Sequence, residues 1–209
     1  MAQDAVIRLL LVEDQLEDAE QLISMLRNGG MAIRPQRPES MDELDSVLAT
    51  AAIDMVLARG DAKYIPFADV CKRVLATGKD IPVLATADEL DAATILAHMA
   101  QGARETALRS KPEHVQFVVR SEFQALLARR SLRHLEAALR ETERRCDALI
   151  SSSRDPIAYV HEGMHIRANA AYLEMFGYES FEDIEGMSLL DLVAPKHVEG
   201  FKQLLKNMS

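Results

Sequence analysis

The sequence lacks most of the features that mark membrane-spanning, secreted or disulfide-rich proteins. It has no tryptophan, only two cysteines and 5% aromatic residues. Its longest purely aliphatic run extends from Leu9 to Val12, whereas a membrane-spanning helix needs about 20 apolar residues. Cys71 and Cys146 lie far apart in the chain, so we expect no disulfide framework. The first residues carry no secretory signal, which predicts a cytoplasmic location.

Basic surface is also scarce. The chain has 33 Asp and Glu residues against 24 Lys and Arg, which gives a net charge of −9 at pH 7. Because an acidic chain repels phosphate backbones, we expect no nucleic acid as a partner. The short apolar runs also predict that the chain does not insert into a membrane. The one notable basic cluster runs from Arg129 to Arg145, and acidic residues interrupt it.

The first 110 residues alternate short apolar runs with amphipathic stretches. Residues 6–12, 53–58 and 80–85 form apolar runs typical of buried strands, and 31–34 and 105–108 are weaker candidates. The stretches between them have apolar residues at helical spacing. Five such β/α units predict an α/β fold with a doubly wound, five-stranded parallel sheet, whose functional residues lie at the carboxyl ends of the strands.

A long helix is expected next, because no glycine or proline interrupts the sequence from Pro112 to about Ile150. In its second half, apolar or small residues alternate by three and four positions, at Ala125, Ala128, Leu132, Leu135, Leu139, Thr142, Cys146 and Leu149. We predict that Leu132, Leu135, Leu139 and Leu149 belong to the seam of a dimeric coiled coil. The alternative is a single amphipathic helix packed on its own domain.

Two adjacent carboxylates, Glu13 and Asp14, follow the first predicted strand, and carboxylate oxygens suit Mg²⁺. The alternative is a solvated turn in which Asp14 caps a helix. Together with the order of elements and the runs 54–57 and 81–84, this acidic pair resembles response-regulator receiver domains. The resemblance covers residues 6 to about 120 and implies a receiver/flavodoxin-like fold.

Receiver domains use two acids for Mg²⁺, an aspartate that accepts the phosphoryl group, a hydroxyl and a lysine. In this chain the acids are present, but an arginine replaces the phosphoacceptor and another replaces the lysine. The resemblance therefore implies a degenerate phosphorylation pocket of Glu13 and Asp14 (acids), Arg59 (phosphoacceptor position), Ala87 with Thr86 one residue earlier (hydroxyl position) and Arg109 (lysine position).

Arg59 cannot act as a carboxylate nucleophile, and its guanidinium stays protonated. We expect Arg59 to pair with Glu13 and Asp14, to supply the positive charge of Mg²⁺ and to exclude the metal. The alternative is a receiver that is phosphorylated on Asp61, two residues further along the chain.

The last part of the chain resembles the beginning of a PAS domain through residues 155–160, 165–172 and 176–178. The resemblance covers about residues 147–209 and implies a partial α+β domain that holds two of the five antiparallel PAS strands. The first strand would then keep an unpaired edge, so we expect a fragment of a longer protein. Four aromatic residues are candidates for a PAS cavity, although a core role is the favoured alternative: Tyr159, Tyr172, Phe176 and Tyr178.

The string from His161 to His165 matches the metalloprotease motif H-E-x-x-H. That chemistry requires both histidines on one helix face. Here a strand-like run precedes the string and Gly163 lies within it, which predicts a hairpin turn instead.

A receiver without its phosphoacceptor, a helical linker and this PAS-like segment together resemble the N-terminal half of FimX-like cyclic di-GMP signalling proteins. Such proteins control type IV pilus assembly and twitching motility, and their GGDEF and EAL domains would lie beyond Ser209. The resemblance implies a degenerate receiver at 1–118, a linker at 113–150 and a truncated PAS domain at 151–209.

From this resemblance we expect a non-catalytic regulatory and dimerisation module without cofactor or metal. It would form a homodimer and contact proteins of the pilus or polar-localisation machinery, at the cell pole. The alternatives are a receiver phosphorylated on Asp61 and a PAS-type sensor of a small molecule.

Overall fold

The computed structural model describes residues 6–208, which divide after Arg133 into two compact units. The strands of the first unit are β1 (Ile7–Val12), β2 (Ile33–Gln36), β3 (Met55–Arg59), β4 (Val83–Ala87) and β5 (Glu105–Leu108). Its helices are α1 (Leu16–Asn28), α2 (Met41–Thr50), α3 (Phe67–Ala76) and α4 (Ala92–Gln101). Helix α5 (Pro112–Ser152) begins in the first unit and ends in the second.

The five strands form one parallel sheet in the order β2-β1-β3-β4-β5. Successive side chains of a strand point to opposite faces, so Leu9 and Leu11 pack with α1 and α5 on one face. Leu10 and Val12 pack with α2 and α3 on the other. The predicted doubly wound α/β fold is therefore confirmed, with the strand order of flavodoxin-like proteins.

Local signals place the helix ends as expected. At the start of α2, Ser40 Oγ accepts a hydrogen bond from the Glu43 amide at 3.2 Å, which is half of a capping box. Helix α4 is capped at its carboxyl end by Gly102, whose φ of 114° lies in the left-handed region that favours glycine. Strand β2 begins two residues later than the weak strand expected at 31–34, because pairing with β1 sets Ile33 opposite Ile7.

The second unit is built on the end of α5 and an antiparallel hairpin. Its further elements are β6 (Ala158–His161), β7 (Met164–Ala168), α6 (Ala170–Phe176), three short 3₁₀ helices and α7 (Val198–Met208). Asn169 is 3% exposed and caps α6, since its Oδ1 accepts the Tyr172 amide at 2.9 Å. Its Nδ2 donates to the Asp155 and Ile150 carbonyls, so one side chain joins the end of α5 to the start of α6.

The H-E-x-x-H string forms the predicted hairpin turn. His161 lies on β6 and His165 on β7, so the two histidines do not share a helix face. His165 is buried, with Nδ1 bonded to the Met187 carbonyl and Nε2 to the Tyr172 hydroxyl. Within residues 6–208, no helix is both long and apolar enough to cross a membrane.

Candidate functional site

The carboxyl edge of the parallel sheet gathers side chains from three strand ends. Glu13 and Asp14 follow β1, Arg59 is the last residue of β3, and Arg109 follows β5. Parallel strands end at the same edge of a sheet, and function in such folds collects there. The topology thus brings Glu13, Asp14, Arg59 and Arg109 of the predicted degenerate pocket to one edge of the sheet.

Arg109 is the partner of the buried carboxylate. Its Nη1 lies 2.7 and 2.8 Å from the two carboxylate oxygens of Glu13. The Glu13 side chain is fully buried and that of Arg109 is 11% exposed. Burial raises the pKa of Glu13, and the opposing attraction of Arg109 does not cancel this effect. Among the described side chains, Arg109 is therefore the hydrogen-bond partner that stabilises ionised Glu13.

Four charged side chains form a closed ring of ion pairs beside Glu13: Asp18, Arg59, Asp88 and Arg109. Asp18 bridges the two arginines, with one oxygen 3.1 Å from Arg109 and the other 3.4 Å from Arg59. Asp88 bridges them again, at 3.5 Å from Arg109 and 2.8 Å from Arg59. Arg59 Nε also donates to Asp61 at 2.6 Å. We call Glu13, Asp18, Arg59, Asp61, Asp88 and Arg109 the arginine network.

The expected pairing of Arg59 with Glu13 and Asp14 is wrong. The donors of Arg59 are directed to Asp18, Asp61 and Asp88 instead. The carboxylate of Asp14 accepts the amides of residues 63 and 64 in the loop after β3, at 2.9 and 3.2 Å. Both predicted acids thus have other partners, because Arg109 reaches Glu13 and the loop folds over Asp14.

The donor set of this edge does not suit the Mg²⁺ ion that the receiver resemblance implies. Mg²⁺ needs carboxylate oxygens that it can approach in octahedral geometry. Here Arg109 covers both oxygens of Glu13, backbone amides occupy Asp14, and Arg59 replaces the third carboxylate. Among residues 6–208, no three His, Cys, Asp or Glu side chains are arranged to hold a metal ion.

The hydroxyl position contributes nothing to the arginine network in the described residues. Ala87 has no hydroxyl, and Thr86 is fully buried with its Oγ1 lacking a hydrogen-bond partner. Asp18 and Asp88, in contrast, were missed by the sequence analysis because neither matches a receiver motif position. Their positions carried a signal: Asp18 lies in the first turn of α1, and Asp88 directly follows β4.

The loop that carries Arg59 and Asp61 rests on a buried histidine. A Cβ at Gly60 would clash with Nε2 of His98, so only glycine fits this contact. His98 is 8% exposed, contacts the ring of Phe67, and its Nδ1 lies 3.2 Å from Thr106 Oγ1 on β5. Burial lowers the pKa of His98. The packing of Gly60 against His98 therefore fixes the position of the loop that carries Arg59 and Asp61 of the arginine network.

The four candidate aromatics of the second unit have different surroundings. Tyr172 is buried, and its ring centroid lies 4.8 Å from Phe176 and 5.7 Å from His165. Tyr178 donates its hydroxyl to the sulfur of Met187 at 3.8 Å. Tyr159 is 59% exposed. Tyr172 is thus a core residue, whereas Tyr159 lies on the surface.

Solved structures with similar folds include response regulators. One from Chloroflexus aurantiacus J-10-fl aligns with a TM-score of 0.51 and 22% identity, over 57% of this chain and 99% of that chain. A CheY-like receiver domain protein from Methanospirillum hungatei JF-1 aligns at 0.50 with 9% identity, over 60% and 99%. A fusion that contains a yeast Spc42 trimeric coiled coil aligns at 0.53 with 14% identity, over 68% and 95%.

The end of the chain matches a family model. Residues 144–209 match the PAS fold, and the comparison with curated proteins finds no match. The first unit thus has a response-regulator receiver fold, and a long helix and a PAS-matching segment follow it.

Proposed function

We propose that the chain is a non-catalytic regulatory and dimerisation module whose receiver is not phosphorylated at the usual position. The observation that carries this proposal is Arg59 at the end of β3, joined with Arg109 to the same two aspartates. A guanidinium is no nucleophile and remains charged at any working pH.

Two guanidinium groups supply the positive charge that a divalent ion would supply to these acids. Ion pairs of this kind form charge-assisted hydrogen bonds, and the planar guanidinium fixes their geometry. A metal or phosphoryl group would have to displace Arg109 from the buried Glu13. The receiver therefore stays in one state and serves as a surface for protein contacts.

Phosphorylation tests this proposal directly. The full chain is incubated with acetyl phosphate and Mg²⁺, and its intact mass is measured beside a receiver that is known to be phosphorylated. We expect no phosphoryl adduct on this chain. An adduct that disappears in Asp61→Asn would instead establish the alternative, in which Asp61, whose side chain is 73% exposed, is the phosphoacceptor.

The helical linker supports the dimer part of the proposal. The seam leucines Leu132, Leu135, Leu139 and Leu149 are 59, 65, 60 and 72% exposed, respectively. Their spacing by three and four is that of a coiled coil, and a second copy of this helix would cover them. We expect light scattering to give a dimer mass for the full chain. Leu135→Glu with Leu139→Glu should give a monomer, whereas the off-seam control Ala137→Glu should stay dimeric.

The finer assignment is a FimX-like cyclic di-GMP signalling protein that acts in pilus and twitching control. It is supported by the order of a receiver fold, a long helix and a PAS match, together with the resemblance of the sequence. Cyclic di-GMP chemistry would belong to GGDEF and EAL domains, and the partners would be proteins of the pilus or cell-pole machinery. In a bacterium with such pili, loss of twitching on replacement of Arg59 and Arg109 by alanine would support this role, and unchanged twitching would oppose it.

A further inference from the structure

The buried stripe of α5 changes character where the helix reaches the amino edge of the sheet. Its apolar part ends at Leu126, which is fully buried. At about 100° per residue, Arg129, Arg130 and Arg133 lie within about 60° of Leu126 on the helical wheel. The same helix face thus continues from hydrophobic contacts into three arginines. These arginines begin the basic cluster that the sequence shows and that the proposed function leaves unexplained.

Asp54 pairs with Arg130. It lies directly before β3, and its side chain is 3% exposed. One of its oxygens accepts Arg8 Nη2 at 2.7 Å and Arg130 Nη1 at 2.6 Å, and the other accepts Arg8 Nε at 2.8 Å and the Arg8 amide at 3.0 Å. Burial alone would raise the pKa of Asp54, but the hydrogen bonds from Arg8 and Arg130 outweigh it and hold the pKa at about 2. The carboxylate therefore stays ionised throughout the physiological range.

Asp80 pairs with the other two arginines, Arg129 and Arg133. It lies a few residues before β4, and its side chain is 17% exposed. Arg129 Nε lies 3.2 Å and Arg133 Nη2 3.1 Å from the same oxygen of Asp80. Two carboxylates at the starts of neighbouring strands thus hold three arginines from about one turn of α5.

Ionic contacts at this point constrain the helix in a way that apolar contacts would not. Core residues of similar volume can often be exchanged without loss of fold, whereas a guanidinium pairs with a carboxylate in a defined planar geometry. Arg129 and Arg130 point to different strands, so rotation of α5 about its axis would break one pair or the other. Leu132, the first seam leucine, lies about 120° around the helix from Leu126 and the buried stripe.

We propose that Asp54 and Asp80 clamp α5 through Arg130, Arg129 and Arg133, and that this clamp sets the rotation in which the helix leaves the sheet. The clamp keeps Leu132 turned away from the sheet. Its effect on a partner helix rests on the proposed dimer, but the clamp itself does not. Arg129, Arg130 and Arg133 are positioning residues in this arrangement.

Amide hydrogen exchange of the full chain tests the clamp. The variants are Arg130→Gln, the double variant Arg129→Gln with Arg133→Gln, and Arg130→Lys. The control is Arg140→Gln, which changes an exposed arginine on the same helix beyond the clamp. We expect the amides of residues 126–131 to exchange roughly tenfold faster in both glutamine variants, while β1 and β3 stay protected. Arg130→Lys should recover only part of the protection, because lysine offers a point charge.

Unchanged exchange of residues 126–131 in both glutamine variants would overturn the clamp. If Arg130→Gln also speeds exchange in β1 and β3, the loss of an Asp54 partner has loosened the sheet itself. The double variant then tests the clamp, because it leaves Asp54 paired with Arg8 and Arg130. Light scattering on the same samples separates this inference from the proposed dimer. A monomeric wild type with faster exchange in the variants would support the clamp and contradict the dimer, and a dimer with unchanged exchange would do the reverse.

Discussion

The two edges of the receiver sheet use the same ion-pair chemistry in different surroundings. At the carboxyl edge, Asp61 and Asp88 are 73 and 62% exposed where they meet Arg59. At the amino edge, Asp54 is 3% exposed where it meets Arg8 and Arg130. Water therefore competes with Arg59 for hydrogen bonds to Asp61 and Asp88, whereas burial excludes water from Asp54.

This difference in burial predicts different consequences of substitution at the two edges. Exposed ion pairs contribute about 0–1 kcal/mol each, whereas removing one partner of a buried pair costs about 3–5 kcal/mol. The carboxyl edge holds one buried pair, Glu13 with Arg109, beneath its exposed ring. We therefore expect changes at the amino edge to affect folding, and most changes at the carboxyl edge to affect contacts made there.

The largest effect is expected for Asp54→Ala. The change removes the acceptor shared by Arg8 and Arg130, and should lower the free energy of unfolding by about 3 kcal/mol in urea titrations. The matched control is Asp45→Ala, because Asp45 is 40% exposed and pairs with Arg73 at the surface. This control should shift the free energy of unfolding by less than about 0.5 kcal/mol. Equal shifts in the two variants would contradict the comparison of the edges.

The same variant makes a prediction about pH. The pKa of Asp54 is about 2 in the folded chain, below the value of 3.8 for a free side chain. Its contribution is therefore present above pH 4 or so and is lost as the pH falls toward the folded value. The difference between wild type and Asp54→Ala should shrink below about pH 4.

Gly60→Ala tests the packing beneath the carboxyl edge. A methyl group there meets His98, and overpacking of this kind costs about 1–3 kcal/mol. The φ of Gly60 is not positive, so backbone strain does not contribute. In a His98→Ala background the same change should cost less than about 0.5 kcal/mol. A cost that persists without His98 would show that the loop is not seated on this histidine.

Glu13→Gln tests the one buried pair of the carboxyl edge. The pKa of Glu13 is raised by burial, so ionisation of this residue costs the folded state stability as the pH rises. Glutamine does not ionise, so the stability of the variant relative to wild type should rise with pH as Glu13 loses its proton. Loss of the ionic partner of Arg109 lowers the absolute stability of the variant, so the readout is the pH dependence of the difference in urea titrations. A difference that moves in favour of the variant toward acid pH would reverse the sign of the argument.

The smallest effect is expected for Asp61→Asn. This aspartate is hydrogen-bonded to Arg59 but largely exposed, so urea titration should show a change below about 0.5 kcal/mol. A loss of unfolding free energy above about 1 kcal/mol would mean that the arginine network is cooperative. The exposed ion pairs of the carboxyl edge would then contribute to stability as the buried ones of the amino edge do.

Much of the fold follows from patterns that lie within short segments. Alternation of buried-strand runs with amphipathic stretches predicts the doubly wound sheet, and the uninterrupted stretch after Pro112 predicts α5, which the structure extends to Ser152. Gly163 and the preceding strand predict the hairpin over the H-E-x-x-H string. Capping at Ser40 is visible in the same way. These features depend on residues close in sequence, so periodicity and turn chemistry suffice.

Partners within the sites were harder to predict. The order of strand ends placed Glu13, Arg59 and Arg109 at one edge, but their pairing was predicted incorrectly. Arg109 lies 96 residues from Glu13 in the chain and pairs with it, while Arg59 is drawn to aspartates on α1 and after β4. The length of each side chain and the register of neighbouring strands determine which ion pairs form, and neither can be derived from the spacing of residues in the sequence.

The sequence by itself therefore determined the α/β layering, the long helix and the loss of a carboxylate at position 59, because residue type and short-range spacing suffice for these. Only the tertiary structure decided that Arg109 neutralises Glu13, that Gly60 rests on His98, and that Arg129, Arg130 and Arg133 hold α5 to Asp54 and Asp80. The physical reason is that the strength of a charge pair depends on burial and distance, and both arise only when distant segments pack together.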